Sequence, residues 1–375
     1  MSERQGTLTA VEATDSSALV ARAREYADRV LRPNALATDA DGLTAQTIAD
    51  LRDLGLLNHL APAAYGGADV DRSTDRRLNE VIAGACFNTW LVWAQHTPTV
   101  TRLKQWQAEH PEREHPLVER ILRGEVFAGT AVSDVRRYPA RYLAARRGDG
   151  GWIFDGSLSW VSGWGLSSVI AVAAVDPRSE RVVLALVPVS DRTVASPLDL
   201  SVVDGSLTER VDLHGVPVPD EDVLAVHDLD EWRAIDRANA GEARPHHFGL
   251  ARTVLDELAA EPEPTARELA AAWRPRIERI RERAYALSDL AAASEAPDEL
   301  HPEERLALVV AGGDALLTLT QALVVARSGR GLARDDTAQL HARSALFALV
   351  QAQSPAIRAA QLRDLTRPLR EETTR

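Results

Sequence analysis

The stretch "GDGGWIFDGSLSWVSGWGLSSVIAVAAVD", residues 148–176, decides how the chain is read. It holds short β-rich runs set apart by Gly, Ser and Asp, and the same kind of run recurs in "ERVVLALVPVS" (180–190) and "LTERVDLHGVPVP" (207–219). Strands at this spacing predict an antiparallel sandwich or barrel over residues 126–228, and not βαβ units. No G-x-G-x-x-G follows a strand, which argues against a Rossmann domain. Inside the stretch, "LSWVSGWG" (158–165) crowds two tryptophans together with Ser162 and two glycines. Such crowding suits either a platform for a ligand or a tight turn with apolar edges.

Working outward, the period changes on both sides. In "SSALVARAREYADRVLRP" the residues Leu19, Ala23, Tyr26, Ala27 and Val30 share a helical face, with Ser16 or Ser17 as cap and Pro33 as stop. "TAQTIADLRDLGLL" predicts a second helix burying Ile48, Leu51 and Leu54 and breaking at Gly55. A third runs through "RRLNEVIAGACFNTWLVWAQH". Beyond residue 230, Leu269, Trp273, Ile277, Ile280, Ala284 and Leu287 recur at helical spacing, with a kink expected at Pro275. "ERLALVVAGGDALLTLTQALVVARSG" is apolar nearly all round, as for a central bundle helix or an oligomer interface. The expected organisation is α+β: an N-terminal helical domain (1–125), a middle antiparallel β-barrel domain (126–228) and a C-terminal four-helix bundle (229–375).

Composition narrows the function classes. A formal charge of −12 over 375 residues disfavours a general nucleic-acid binder, which needs a basic surface. The single cysteine, Cys86, rules out an internal disulfide and a Cys-based zinc cage, and no metal site is expected. The N-terminus is polar with no apolar signal segment, and runs such as "VVLALVPV" are too short to span a bilayer. These features predict a cytoplasmic protein without membrane association.

Helices, a small β domain, then a helical bundle is an uncommon order, and four segments give it a specific likeness. They are "AREYADRVLRPNALATDADGLTAQTIADLRDLGLLNHLAPAAYGG" (23–67), the 148–176 stretch, "LTERVDLHGVPVPDEDVL" (207–224) and "RPHHFGLARTVLDELA" (244–259). Together, in that order, they resemble the acyl-CoA dehydrogenase superfamily over nearly the whole chain. The resemblance implies a flavin, FAD in preference to FMN. Trp160 would pack on the isoalloxazine, while Val161 and Ser162 form the flavin edge and the Ser162 hydroxyl and N–H reach N5. "GTAVSD" (129–134) matches a flavin-contacting loop in shortened form, carrying over Thr130 and Ser133. The glycine loop that meets the adenosine pyrophosphate is here "VARSGRGLARDD" (325–336), with Arg327 or Arg330 as phosphate charges and Ser328, Gly329 and Gly331 as tight backbone.

The chain also departs from that family. Where the family's proton-abstracting glutamate would stand, "FALVQAQSPAIRAAQL" offers Gln351 or Ala352; at the alternative position it offers Asn239, with Glu242 three residues away. His246 and His247, at the start of a bundle helix, are further candidate bases. The family's Arg- and Phe-bearing dinucleotide segment is replaced by "AEPEPTARELAAAW" (260–273). The expected function is a flavin-dependent oxidoreductase, either oxidising an acyl thioester with a displaced base or acting as a monooxygenase. The alternative is a non-catalytic subunit of a mixed oligomer. Expected partners are a small-molecule or acyl-thioester substrate and other copies of the chain, as dimer or tetramer, or a homologous subunit.

Overall fold

A computed structural model describes residues 16–373, and their side chains through residue 366. The chain divides into two compact units, Met1–Leu229 and Asp230–Arg375. The N-terminal helices and the β region expected as separate domains therefore form one unit.

The first unit opens with helix α1 (16–26), which widens into a π-turn at Ala27–Leu31. The extra residue in that turn rotates the apolar face: Leu19, Ala23, Ala27 and Leu31 are buried, while Val30, expected inside, is exposed. Short helices α2 (Ala35–Asp41) and α3 (Ala45–Asp53) follow, the latter burying Ile48 and Leu51. The expected third helix is two, α4 (Arg72–Ala85) and α5 (Phe87–Glu109), broken at extended Cys86. A short α6 (Pro116–Leu122) leads into the sheet.

Eight strands form one sheet: β1 (Ala128–Ala131), β2 (Ala144–Gly148), β3 (Gly151–Val161), β4 (Val169–Asp176), β5 (Arg181–Pro188), β6 (Thr193–Pro197), β7 (Glu209–Pro219) and β8 (Val223–Asp228). Their order is β6-β7-β3-β2-β4-β5-β8, with β1 on β4. Most neighbours are antiparallel, but β1 and β2 both meet β4 in parallel, so the sheet is mixed where a purely antiparallel one was expected. Every β4 residue is buried. Phe154, Leu158, Val161, Val172, Val211 and Leu213 pack into the core beside it.

The second unit is helical: α7 (Leu229–Ala240), α8 (Pro245–Ala260), α9 (Pro264–Ala292), α10 (Pro302–Arg327), α11 (Thr337–Val350) and α12 (Pro355–Thr373). Helix α9 runs as one helix through Pro275. Its fully buried face is Ala270, Ile277, Ala284 and Leu287, leaving Trp273 and Ile280 at the margin. Helix α10 packs against α8, α9 and α11. Segment Pro302–Leu332 is long and apolar enough to cross a membrane (mean hydropathy 1.8), which corrects the reading that every apolar run is too short; half of that window is buried within the structure.

Candidate functional site

In the first unit the site is built on the end of β3. Residues of a strand alternate between faces, and here Val161 is fully buried in the sheet core while Trp160 turns outward, 40% exposed. A large aromatic is left on the surface by that alternation. Trp164 does the opposite, packing partly buried against the sheet core. The paired tryptophans thus split into one platform candidate and one structural residue. Gly163 makes the turn between them: its φ is +74° and a Cβ would stand 2.8 Å from Val92 Cγ1.

Ser162 is buried and its hydroxyl is committed inward. Ser206 Oγ donates to the Val203 carbonyl (2.6 Å), Thr208 Oγ1 lies 2.7 Å from Ser206 Oγ, and Ser162 Oγ lies 2.8 Å from Thr208 Oγ1. Each hydroxyl has one hydrogen, so the chain runs one way, Ser162 to Thr208 to Ser206 to Val203. Ser162 Oγ has no hydrogen left for a flavin N5. Its backbone N–H, lying past the last ladder pair Val161↔Glu209, is the group that remains for that role.

Thr130 behaves alike. Its hydroxyl donates to the Gln95 carbonyl (2.6 Å), so Thr99, 2.8 Å away, must be the donor to Thr130. Both hydroxyls, that of Ser162 expected as a ligand donor and that of Thr130, bond to neighbouring protein groups instead. Ser133 is exposed at the start of the 3-10 turn Ser133–Arg137. The residue that sequence reasoning missed is Asp134. Its buried carboxylate accepts from the Ser159 N–H (2.7 Å) and Oγ (2.6 Å), clamping β3 one residue before Trp160. Its signal was present, as the last residue of the quoted "GTAVSD". His96 pins β1 from the helix side: Nδ1 accepts from the Ala128 N–H (3.0 Å), which leaves Nε2 to donate to the Leu57 carbonyl (2.8 Å). Burial first of all lowers its pKa, to about 4, so the ring is neutral at pH 7.

In the second unit the expected bases lack basicity or freedom. Glu242 stands 3.6 Å from the buried Arg305 guanidinium, as an ion-pair partner. His246 and His247 meet edge to face, with centroids 4.6 Å apart, and both are buried. Burial, reinforced by the Arg244 charge, depresses His247 to about 3; burial and His247 push His246 well down too. His247, Arg244 and Arg305 line a cavity of roughly 10 Å³, room for about one water. Gln351 caps the end of α11 with its Oε1 buried and unpaired, and Ala352 follows at φ +49°. No carboxylate occupies either glutamate position. Among the described residues no group of three or more His, Cys, Asp or Glu is placed to hold a metal ion.

The 325–336 loop does not fit a pyrophosphate. Arg327 donates from Nε to Glu261 (2.6 Å), from Nη1 to Asp336 (2.7 Å) and Thr337 (2.8 Å), and from Nη2 to Glu257 (2.8 Å). Burial opposes its charge, but Glu261 and Asp336 raise its pKa above the ordinary value. Arg330 is exposed and leans 3.5 Å from Glu261 and Asp336. Three carboxylates (Glu261, Asp335, Asp336) and two guanidiniums line this pocket, and Glu257 also pairs with Arg327, so a further diphosphate would meet net negative charge. The tight-backbone expectation is also redistributed. Ser328 carries the positive φ (+52°), Gly329 has open space around it, and only Gly331 is required by packing, 3.0 Å from Arg327 Cβ.

Residues 13–113 match the acyl-CoA dehydrogenase N-terminal domain family. Over 165 residues the chain is 30% identical to cyclohex-1-ene-1-carbonyl-CoA dehydrogenase of Geobacter metallireducens, covering 41% of this chain and 42% of that protein. The chain matches only about half the length of its curated relatives, or less. Over the whole fold it superposes on butyryl-CoA dehydrogenase of Megasphaera elsdenii with TM-score 0.75 at 14% identity, covering 94% of this chain and 98% of that one. Residues 13–113 thus belong to the acyl-CoA dehydrogenase N-terminal domain family, and the chain as a whole has the acyl-CoA dehydrogenase fold. A further structural neighbour is KijD3 in complex with FMN and dTDP-3-amino-2,3,6-trideoxy-4-keto-3-methyl-D-glucose, with TM-score 0.76 at 18% identity, covering 94% of this chain and 93% of that one. Three features mark the positions just described: a β3 edge with an outward tryptophan, no carboxylate at either expected base position, and acids around Arg327.

Proposed function

We propose that this chain is a flavin-dependent monooxygenase and not an acyl-thioester dehydrogenase. The observation that carries the reading is the loss of any competent base: Glu242 is paired to Arg305, the two histidines are held neutral, and Gln351 and Ala352 carry no titratable group. Abstraction of an α-proton needs a base of suitable pKa in reach. Oxygen insertion does not. A bound flavin supplies two-electron redox chemistry and, when reduced, reaction with O₂. In the net reaction O₂ gives one oxygen atom to the substrate and the other leaves as water, using two electrons from reduced flavin and two protons.

The chain's own part is placement. Trp160 offers a flat apolar wall, Asp134 fixes the strand that carries it, and the Ser162 N–H offers a donor at the flavin edge. The acids around Arg327 disfavour a dinucleotide, so the reading takes FMN in place of FAD, as the FMN complex of KijD3 also supports. The test is titration of the full chain with FMN and FAD, followed by fluorescence quenching, then anaerobic addition of acyl-CoA thioesters. FMN is expected to bind at least as tightly as FAD, and the thioesters to leave the visible flavin band unbleached. FAD binding tenfold tighter than FMN overturns the cofactor assignment, and bleaching overturns the oxygenase. If neither flavin binds, the non-catalytic subunit of a mixed oligomer takes its place.

A further inference from the structure

Arg102, on α5, is a half-buried cation with no protein group to balance it. Among the described residues its guanidinium makes no hydrogen bond and no ion pair, and Nη1 is shielded from solvent. Burial alone pulls its pKa down, with no carboxylate opposing the shift. Arg76 and Arg305 also bury an unpaired guanidinium nitrogen, but Arg76 has other contacts and Arg305 donates to the carbonyls of Ala238 and Pro297. A charge drawn partly out of water without a partner is destabilising, and an anion set against it removes that cost.

Its position follows from the helix. Gln95, Thr99 and Arg102 stand at i, i+4 and i+7, one face of α5. That face lies on β1: His96 meets Ala128, and Gln95 and Thr99 meet Thr130. Helix and strand advance in the same sense, so one further turn sets Arg102 past Thr130, level with the end of β1 and the exposed Ser133. Pro98 contributes by removing the N–H owed to the Ala94 carbonyl, which loosens the turn whose Gln95 carbonyl accepts from Thr130. The nearest acid along the chain there, Asp134, has both oxygens on Ser159 and so stays committed to β3.

We propose that Arg102 is the counter-ion for an anionic group, carboxylate or phosphate, of a molecule bound at the β1–α5 edge. This gives the substrate of the proposed oxygenase a negative charge and rests on that reading for the word substrate only. Arg102 is a binding residue here and takes no part in proton transfer. The geometry of a planar, five-donor guanidinium suits either anion.

The experiment is thermal denaturation of the flavin-free full chain, comparing the parent protein, R102M and R102K at constant ionic strength in chloride. Benzoate and inorganic phosphate are the added probes. With no probe, R102M is expected to melt about 2–4 °C higher, because the uncompensated charge is gone. Benzoate or phosphate is expected to raise the melting temperature of the parent and of R102K, but not of R102M; whichever anion acts identifies the group. An R102M that melts lower than the parent, or an equal response of all three proteins to both anions, overturns the proposal. Because no flavin is present, these results stand apart from the flavin titration: lost flavin binding with a retained anion response sinks the oxygenase and keeps the site.

Discussion

Trp160 and Trp164 stand four residues apart and answer to different forces. Trp160 faces outward from β3 and contributes little to the core, whereas Trp164 packs on the sheet. W160A is therefore expected to change unfolding free energy by less than about 1 kcal/mol while weakening FMN binding at least tenfold. W164A is expected to cost about 2–4 kcal/mol, the range for a large aromatic removed from packing. Urea unfolding and flavin quenching on both variants check this, and equal stability losses would sink the division of labour. The tryptophan was legible in the sequence as a candidate platform because Trp-x-Ser in a β context is distinctive; its outward direction comes from the strand. The hydroxyl direction was not, since Ser162 depends on Thr208 and Ser206, forty and more residues away, and sequence gives no proton count for such a chain.

At the scale of elements, the pieces that escaped the sequence share one cause. The π-turn at Ala27–Leu31 inserts a residue that helical periodicity does not register, so Val30 was placed inside and Leu31 was not. In the α10–α11 loop, glycines beside arginines looked like a phosphate cradle, but two of the three acids that saturate Arg327, Glu257 and Glu261, come from α8 and from its end, and only Asp336 lies in the loop itself. That clamp predicts an acid limb. Burial pushes Glu257 upward, but His341, Thr337 and Arg327 outweigh it and hold the carboxyl at about 2, against an ordinary 4.5. A carboxylate with a depressed folded pKa stabilises the fold fully above 4.5, and the contribution is lost as pH falls toward 2. The loss is on the order of 3 kcal/mol. Urea midpoints at pH 6 and pH 3 measure it, and E257Q should be less stable at pH 6 but show a flatter decline. A variant that declines as steeply as the parent would place the acid limb elsewhere.

For the molecule as a whole, the order helices, sheet, helices was readable because each zone carries its own period over many residues. Assembly is a surface property, written in residues that periodicity assigns to no core. The second unit leaves Val325, Leu332, Leu346, Val350, Leu362 and Leu365 exposed, each by more than half. Leu290 on α9 is exposed as well, 55%. Single exposed leucines are common, but this many in one helical unit is the composition expected of an interface with another chain. A second copy is the simplest cover, because twofold self-pairing is the commonest way for such residues to be buried. Light scattering on the full chain is expected to give a dimer or tetramer. L346E and L365E, placed on α11 and α12 where no internal packing is lost, should lower the mass toward the monomer while leaving the unfolding free energy of each unit nearly unchanged. A monomeric parent would remove the self-association and leave a homologous subunit as the cover. A charged variant with unchanged mass would instead move the interface to the α9 and α10 side, where L290E and V325E repeat the test.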